Sequence, residues 1–272
     1  MKKFIVLPIL KILYSQPTKF FYTPMFWRFR VLVFYTIISV VMVLFFILFW
    51  MPMQLSSISY ALRYRVAELF SYIFIYLLWL VCGIKFKVTG REKLPVDGKP
   101  YIALSNHQSF WENFFMQLII PEHSWVIKKE LFDIPVFGFG LRSVSPIAVD
   151  RSDSRSVVQI LEEGSKKIEA GLSLVIFPEG GTVKIDSSVK FKPSAAKLAL
   201  NTRVPIVLIV HNAGLVWPKG FWLKRPGTVK VKVIECLSAE QLSTYSSDAR
   251  ELTDYIQEKI NSEKKMLVDL GV

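Results

Sequence analysis

The chain has 272 residues, 52% of them hydrophobic, with a mean hydropathy of +0.37 and a formal net charge of +12. That length holds one α/β domain of roughly 200 residues plus an extra segment, and the apolar excess is high for a fully soluble protein. The charge invites a nucleic-acid partner, but its placement argues against one. Residues 1–65 carry eight basic residues (Lys2, Lys3, Lys11, Lys19, Arg28, Arg30, Arg63, Arg65) and no acidic one, leaving twenty-six basic against twenty-two acidic residues beyond.

Residues 31–51 (VLVFYTIISVVMVLFFILFWM) are interrupted only by Thr36 and Ser39. As a helix the run spans about 31 Å, enough to cross a bilayer core. Buried helices of soluble proteins rarely stay apolar on every face over such a length, so it is read as a membrane helix. A cleaved signal peptide fits poorly, because a long segment precedes the run and no small-residue cleavage site follows. Residues 69–84 form a shorter apolar stretch with Tyr72, Tyr76 and Trp79, and with Glu68 at its edge. They suit a short return helix or one lying at the interface. The basic residues flank the first segment, where they meet anionic headgroups and mark the cytoplasmic side. Six of the eight precede Val31, which favours a cytoplasmic N-terminus. The expected organisation is therefore membrane-anchoring helices over 1–84 and an α/β domain over 85–272, cytoplasmic if 69–84 returns the chain.

Beyond residue 84 the pattern alternates. Short β-rich runs occur at 85–89, 101–104, 125–127, 147–149, 173–177, 205–210 and 229–234. Amphipathic helical runs fall at 155–170 and 248–265, with a short Ala-rich one at 194–201. Alternation of this kind implies an α/β fold, a mixed and largely parallel sheet flanked by helices. Cys82 and Cys236 show neither disulfide nor metal spacing and read as small apolar fillers.

Residues 105–112 (SNHQSFWE) lie where a strand gives way to a helix. A histidine there sits on the rim of the sheet, where α/β proteins place their chemistry. A carboxylate one turn on, Glu112, can fix the tautomer of His107 and stabilise its protonated form. Ser109 and Glu112 fit a helix-capping box equally well, so these residues alone leave both readings open.

In SLVIFPEGGT (173–182) an apolar strand ends in Pro178, Glu179, Gly180 and Gly181. Glycines at a strand end let backbone amides approach a ligand, whereas the plainer reading is a strand exit with a solvated Glu179. KKELFDIPVFG (128–138) joins the basic pair Lys128-Lys129 to an apolar surface, and IAVDR (147–151) ends a strand in Asp150 and Arg151. Arg151 suits a bidentate phosphate contact or an ion pair with Asp150. His123 and His211 show no ligand spacing with each other or with His107, so no metal is expected. No G-x-S-x-G elbow supports a serine hydrolase.

In order and spacing, NHQSFWE (106–112), KKELFDIPVFG (128–138) with IAVDR (147–151), FPEGGT (177–182) and VPIV (204–207) resemble the glycerolipid acyltransferases of phospholipid synthesis. Within them the chain is most similar to 1-acyl-sn-glycerol-3-phosphate acyltransferases of bacterial type. The resemblance covers residues 66–237, and HNAGLVW (211–217) looks like the bacterial branch. It implies a membrane-bound enzyme that moves a fatty acyl group from acyl-CoA or acyl-carrier protein to the sn-2 hydroxyl of lysophosphatidic acid, giving phosphatidic acid. It also implies His107 as general base with Glu112 behind it, Glu179 organising the acceptor pocket, amides of Gly180–Gly181 or of the helix start as candidate oxyanion donors, and Lys128, Arg151 and Lys184 as cations for the phosphate. No cofactor and no covalent acyl-enzyme are required. The implied location is the bacterial inner membrane, with the catalytic domain on the cytoplasmic face.

Two departures stand out. The family's first block more often ends in Asp than in Glu112. Gly181-Thr182 occupies positions where its third block usually reads Thr-Arg, leaving Lys184, Arg151 or Lys190 as substitutes. The rival readings are an acyltransferase for glycerol 3-phosphate or another lysolipid, and a non-enzymatic, basic, membrane-anchored binding protein.

Overall fold

The computed structural model describes residues 24–54, 57–150, 155–220, 222, 224–245 and 248–271. Lys2, Lys3, Lys11, Lys19 and the expected phosphate contact Arg151 lie outside them.

The first apolar run forms α1 (Pro24–Phe45), which continues through a π-helical turn (Phe46–Trp50) into α2 (Met51–Gln54). The second helix, α3 (Tyr60–Leu77), begins well before residue 69. Arg63, Arg65 and Glu68 interrupt hydropathy there, but all three are good helix formers. The Ser59 hydroxyl accepts a hydrogen bond from the Leu62 amide and caps its start. A π-helical turn (Leu78–Cys82) extends it to Gly83, whose φ of 69° suits a residue without Cβ and ends the helix. By length and composition Met25–Gln54 and Tyr60–Cys82 can each cross a bilayer.

The faces of α1 divide sharply. Val31, Phe34, Ile38 and Phe45 are buried, while Phe29, Leu32, Ile37, Val40 and Leu44 are exposed. The buried stripe packs on α3 and beyond: Phe34 lies edge-on to Phe74 at 5.4 Å and to Trp217 at 5.7 Å, and Phe45 meets Phe70 at 5.2 Å. The N-terminal helices thus share one core with the α/β portion.

Seven strands form the sheet: β1 (Ile84–Thr89), β2 (Ile102–Ser105), β3 (His123–Lys128), β4 (Ile147–Val149), β5 (Ser173–Ile176), β6 (Ile206–His211) and β7 (Gly227–Leu237). Their order is β1-β7-β6-β2-β5-β3-β4. All pairs are parallel except β6 with β7, so β1 and β7 run against the other five. Each of the seven β-rich runs found in the sequence is one of these strands.

Period-two alternation assigns the two faces. Ile102, Leu104, Leu174, Ile176, Leu208 and Val210 meet α6 (Ser156–Glu169), α7 (Ser194–Thr202) and α9 (Ala249–Asp269), and the short α8 (Ala239–Ser243) adds Leu242 to the same core. Ala103, Val175, Val207 and Ile209 face the opposite way. That side is covered by α3 and by α4 (Trp111–Ile119), with Phe74 stacked on Phe114 at 3.8 Å, and by α1 and α5 (Phe137–Ser143) further out. The chain leaves β2 toward β3 on one side and leaves β6 toward β7 on the other. The carboxyl ends of β2 and β6 therefore flank a topological switch point, where open α/β sheets bind ligands.

Candidate active site

Strand β2 ends at Ser105, and Asn106 and His107 follow on the sheet's rim. Asn106 is fully buried and bracketed by the end of β6. Its amide donates to the His211 carbonyl at 2.9 Å, its Oδ1 accepts from the His211 N–H at 3.0 Å, and its own carbonyl meets His211 Nε2 at 2.8 Å. Ala213 N–H donates to His211 Nδ1 at 3.3 Å, which leaves Nε2 as the protonated nitrogen. Burial lowers the pKa of His211 and keeps it neutral.

The backbone of His107 is held from both sides. Its N–H donates to Glu179 Oε2 at 2.7 Å, and its carbonyl accepts from the Val183 N–H at 2.8 Å. The ring stacks on Phe177 at 4.3 Å, within 13° of parallel. Glu112 Oε1 lies 2.8 Å from His107 Nδ1 and also accepts the amides of Gln108 at 2.8 Å and Ser109 at 2.7 Å. One oxygen therefore serves as helix cap and imidazole orienter at once, with no alternation between the two. The reciprocal half of a capping box does not form, because Ser109 Oγ accepts from the Trp111 amide instead.

Glu112 is wholly buried. Burial pushes its pKa up, but the hydrogen bonds from His107 and the Ser109 amide oppose that, and it stays below the ordinary carboxyl value. An ionised Glu112 requires the proton on Nδ1, which leaves the lone pair on Nε2. The Thr182 hydroxyl sits 3.1 Å from Nε2 and marks the direction from which a hydroxyl donor approaches.

In front of His107 opens a cavity of about 500 Å³. It runs between α3, α4, β3 and α5, where Phe70, Phe114, Trp125, Leu141 and Val144 line it, toward Trp50 and Gly140. Among the described residues that line it there is no Asp or Glu.

The expected binding residues are scattered. Lys128 lines this cavity and lies 3.2 Å from Glu130. Glu179 is buried behind His107 and does not line it. The Gly180 amide is taken by the Phe177 carbonyl at 3.0 Å, and its φ of 71° forms the turn that aims Glu179 at the His107 backbone. Lys184 is exposed on the following loop, away from the cavity. His211, Asn106 and Thr182 are site residues to which the sequence assigned no role, although each stands at the edge of a quoted block: Asn106 opens NHQSFWE, Thr182 closes FPEGGT and His211 opens HNAGLVW.

Glu179 carries a testable consequence. Burial raises its pKa to about 7, against the opposing pull of the His107 amide and Lys264. The unfolded carboxyl ionises near 4.5, so between these values the folded state holds the extra proton and stability falls as pH rises. Glu179→Gln removes that component. Its melting temperature in detergent is expected to drop less than that of wild type between about pH 5 and pH 8; an equal drop in both proteins would refute the assignment.

A family model described as Acyltransferase matches residues 85–212. The chain is 38% identical over 180 residues to a 1-acyl-sn-glycerol-3-phosphate acyltransferase of Pseudomonas aeruginosa, covering 65% of this chain and 69% of that protein. It is 30% identical over 214 residues to one from Limnanthes douglasii, covering 78% and 70%. The crystal structure of a 1-acyl-sn-glycerophosphate acyltransferase from Thermotoga maritima superposes with a TM-score of 0.72 at 23% identity, over 88% of this chain and 95% of that one, and shares the fold.

Proposed function

We propose that this chain, which belongs to the 1-acyl-sn-glycerol-3-phosphate acyltransferase family and is an acyltransferase of that type, moves a fatty acyl group from acyl-CoA or acyl-carrier protein to the sn-2 hydroxyl of lysophosphatidic acid at a membrane. The observation that carries this reading is the His107–Glu112 couple, its Nε2 turned to a deep, acid-free, largely apolar cavity.

An alcohol is a weak nucleophile at neutral pH. His107 Nε2 takes the hydroxyl proton as the oxygen attacks the thioester carbonyl, and Glu112 offsets the charge that develops on the ring. The tetrahedral intermediate then expels the thiolate, which recovers the proton from the imidazolium, leaving ester and thiol. The amides of Gln108, Ser109 and Gly180 already have acceptors; the Thr182 hydroxyl, which bonds His107 Nε2, is released when the substrate hydroxyl takes its place there and can then donate to the developing oxyanion.

An acyl chain fits the cavity beyond His107. A Cβ at Gly140 would stand 2.8 Å from the Trp50 ring, so Gly140→Val displaces the ring that lines the far end and reshapes it. That substitution is expected to lower the rate with long-chain substrates at least ~10-fold relative to chains two carbons shorter, because each methylene contributes about 1–3 kcal/mol. An unchanged chain-length profile would exclude this placement.

The exposed apolar faces of α1 and α3 support residues 1–84 as the membrane anchor and 85–272 as the catalytic portion. The N-terminal Lys and Arg excess supports the cytoplasmic face of the inner membrane, and protease accessibility in sealed vesicles tests it. The activity is tested with purified protein, radiolabelled lysophosphatidic acid or glycerol 3-phosphate, and matched acyl-CoA and acyl-carrier-protein donors. Turnover of lysophosphatidic acid with either donor is expected; acylation of glycerol 3-phosphate alone would replace this reading with its rival.

A further inference from the structure

Three cations, Lys128, Lys219 and Lys224, line the cavity in front of His107. Lys128 has Glu130 beside it. Lys224 is different. It is only 4% exposed, and its ammonium donates to the Pro218 carbonyl at 3.0 Å and the Gly220 carbonyl at 2.5 Å. It also stands 4.5 Å from the centre of the Trp217 ring. Among the described residues no carboxylate pairs with it. Two carbonyls and a ring leave one N–H and the full charge without a counter-ion. A buried charge in that condition is unfavourable unless an anion joins it. Burial accordingly pulls the lysine's pKa down to about 8.

The segment carrying these lysines is tied to the catalytic end. The Gly214 amide donates to Gln108 Oε1 at 3.2 Å, one residue from His107, and Trp217 packs on Phe34 and Phe74. It follows β6, the strand next to β2, whereas Lys128 ends β3, two strands away on the other side. In the third sequence block, where an arginine is usual, this chain has Thr182, and its hydroxyl is engaged with His107. The cavity therefore needs a cation from elsewhere if it is to hold a phosphate.

We propose that Lys224, assisted by Lys219, binds the phosphate of the lipid acceptor and replaces the cation that the FPEGGT block lacks. The acceptor is favoured over the donor by reach. Its phosphate is one glycerol carbon from the reacting hydroxyl, so both fit in a single cavity with His107. The first phosphate of an acyl thioester lies a whole pantetheine arm from the reacting carbonyl. The tie to Trp217 and α1 places the site beside the apolar helices, as an acceptor with its tail in lipid requires.

The inference rests on the lysophosphatidic acid reading, and its test separates the two. Wild type, Lys224→Met, Lys224→Arg and Lys219→Ala are compared on lysophosphatidic acid and on the phosphate-free 1-acylglycerol of the same chain, with one acyl-CoA. Lys224→Met is expected to lower kcat/KM for lysophosphatidic acid at least ~10-fold, mainly through KM, because an unpaired charge-assisted contact is lost. The preference over 1-acylglycerol should shrink by the same factor while the KM for acyl-CoA holds, and Lys224→Arg should recover most of it. A lysine that only staples its loop slows both acceptors equally; an unchanged preference therefore overturns the proposal, as does a rise confined to the acyl-CoA KM. If Lys224→Met does not fold, the exposed Lys219→Ala decides, and an undiminished preference there is equally fatal. Failure of wild type to acylate lysophosphatidic acid at all would instead remove the activity reading.

Discussion

Replacing His107 by Ala is expected to slow acyl transfer by at least ~10²-fold, the lower end of what general-base help contributes, while the protein keeps its fold. The reason for the selectivity is geometric. The contacts that fix this turn are made by the His107 backbone, to Glu179 Oε2 and from Val183 N–H, and both survive truncation at Cβ. Glu112 keeps two amide donors after losing the imidazole. The lost group is Nε2, the nitrogen whose lone pair faces the cavity. Single-turnover acyl transfer to lysophosphatidic acid, with circular dichroism and melting in the same detergent, checks both halves. Near-normal turnover by a folded His107→Ala protein would remove the general-base assignment.

What the sequence reveals and what it hides follow from the range of each interaction. Strands were legible because their pattern is local: Ile102 and Leu104 take one face of the sheet and Ala103 the other. The His107–Glu112 couple was legible for the same reason, lying five residues apart at a strand-to-helix junction. Its ambiguity with a helix cap was physical, because one carboxylate oxygen makes both sets of bonds. The start of α3 was misplaced because hydropathy registers Arg63, Arg65 and Glu68 as breaks, although each continues a helix well. The Asn106–His211 bracket joins residues 105 apart, and no periodicity announces it. The same holds for the approach of Thr182 to His107 and for the burial of Lys224, both set by which loops meet at the rim. The resemblance points Glu179 at the acceptor pocket and offers the Gly180 amide to the oxyanion; neither lines the cavity in front of His107, and Glu179 accepts from the His107 backbone while Gly180 forms the turn that delivers it.

Glu112→Gln is the substitution that separates the two duties of that carboxylate. The two backbone donors, Gln108 N–H and Ser109 N–H, both converge on Oε1. They would hold the carbonyl of the replacement amide where Oε1 stands now, so His107 Nδ1 still meets an oxygen and its tautomer is kept. The start of α4 remains capped, and Oε2, which has no hydrogen-bond partner, loses nothing when an NH₂ takes its place beyond that group's own desolvation. What disappears is the negative charge opposite the imidazolium. A hydrogen bond to a charged group contributes about 1.5–3 kcal/mol, so turnover is expected to fall roughly 10- to 100-fold with a melting temperature near that of wild type. Glu112→Ala removes the acceptor for both amides as well, and should lose stability in addition to rate. If Glu112→Gln instead kept turnover, and Glu112→Ala lost stability but not rate, the carboxylate would be a helix cap alone, and the imidazole would have to find its orientation from Phe177 and Thr182. The opposite separation, rate lost and fold kept, is what a buried, ionised carboxylate held by three N–H donors requires.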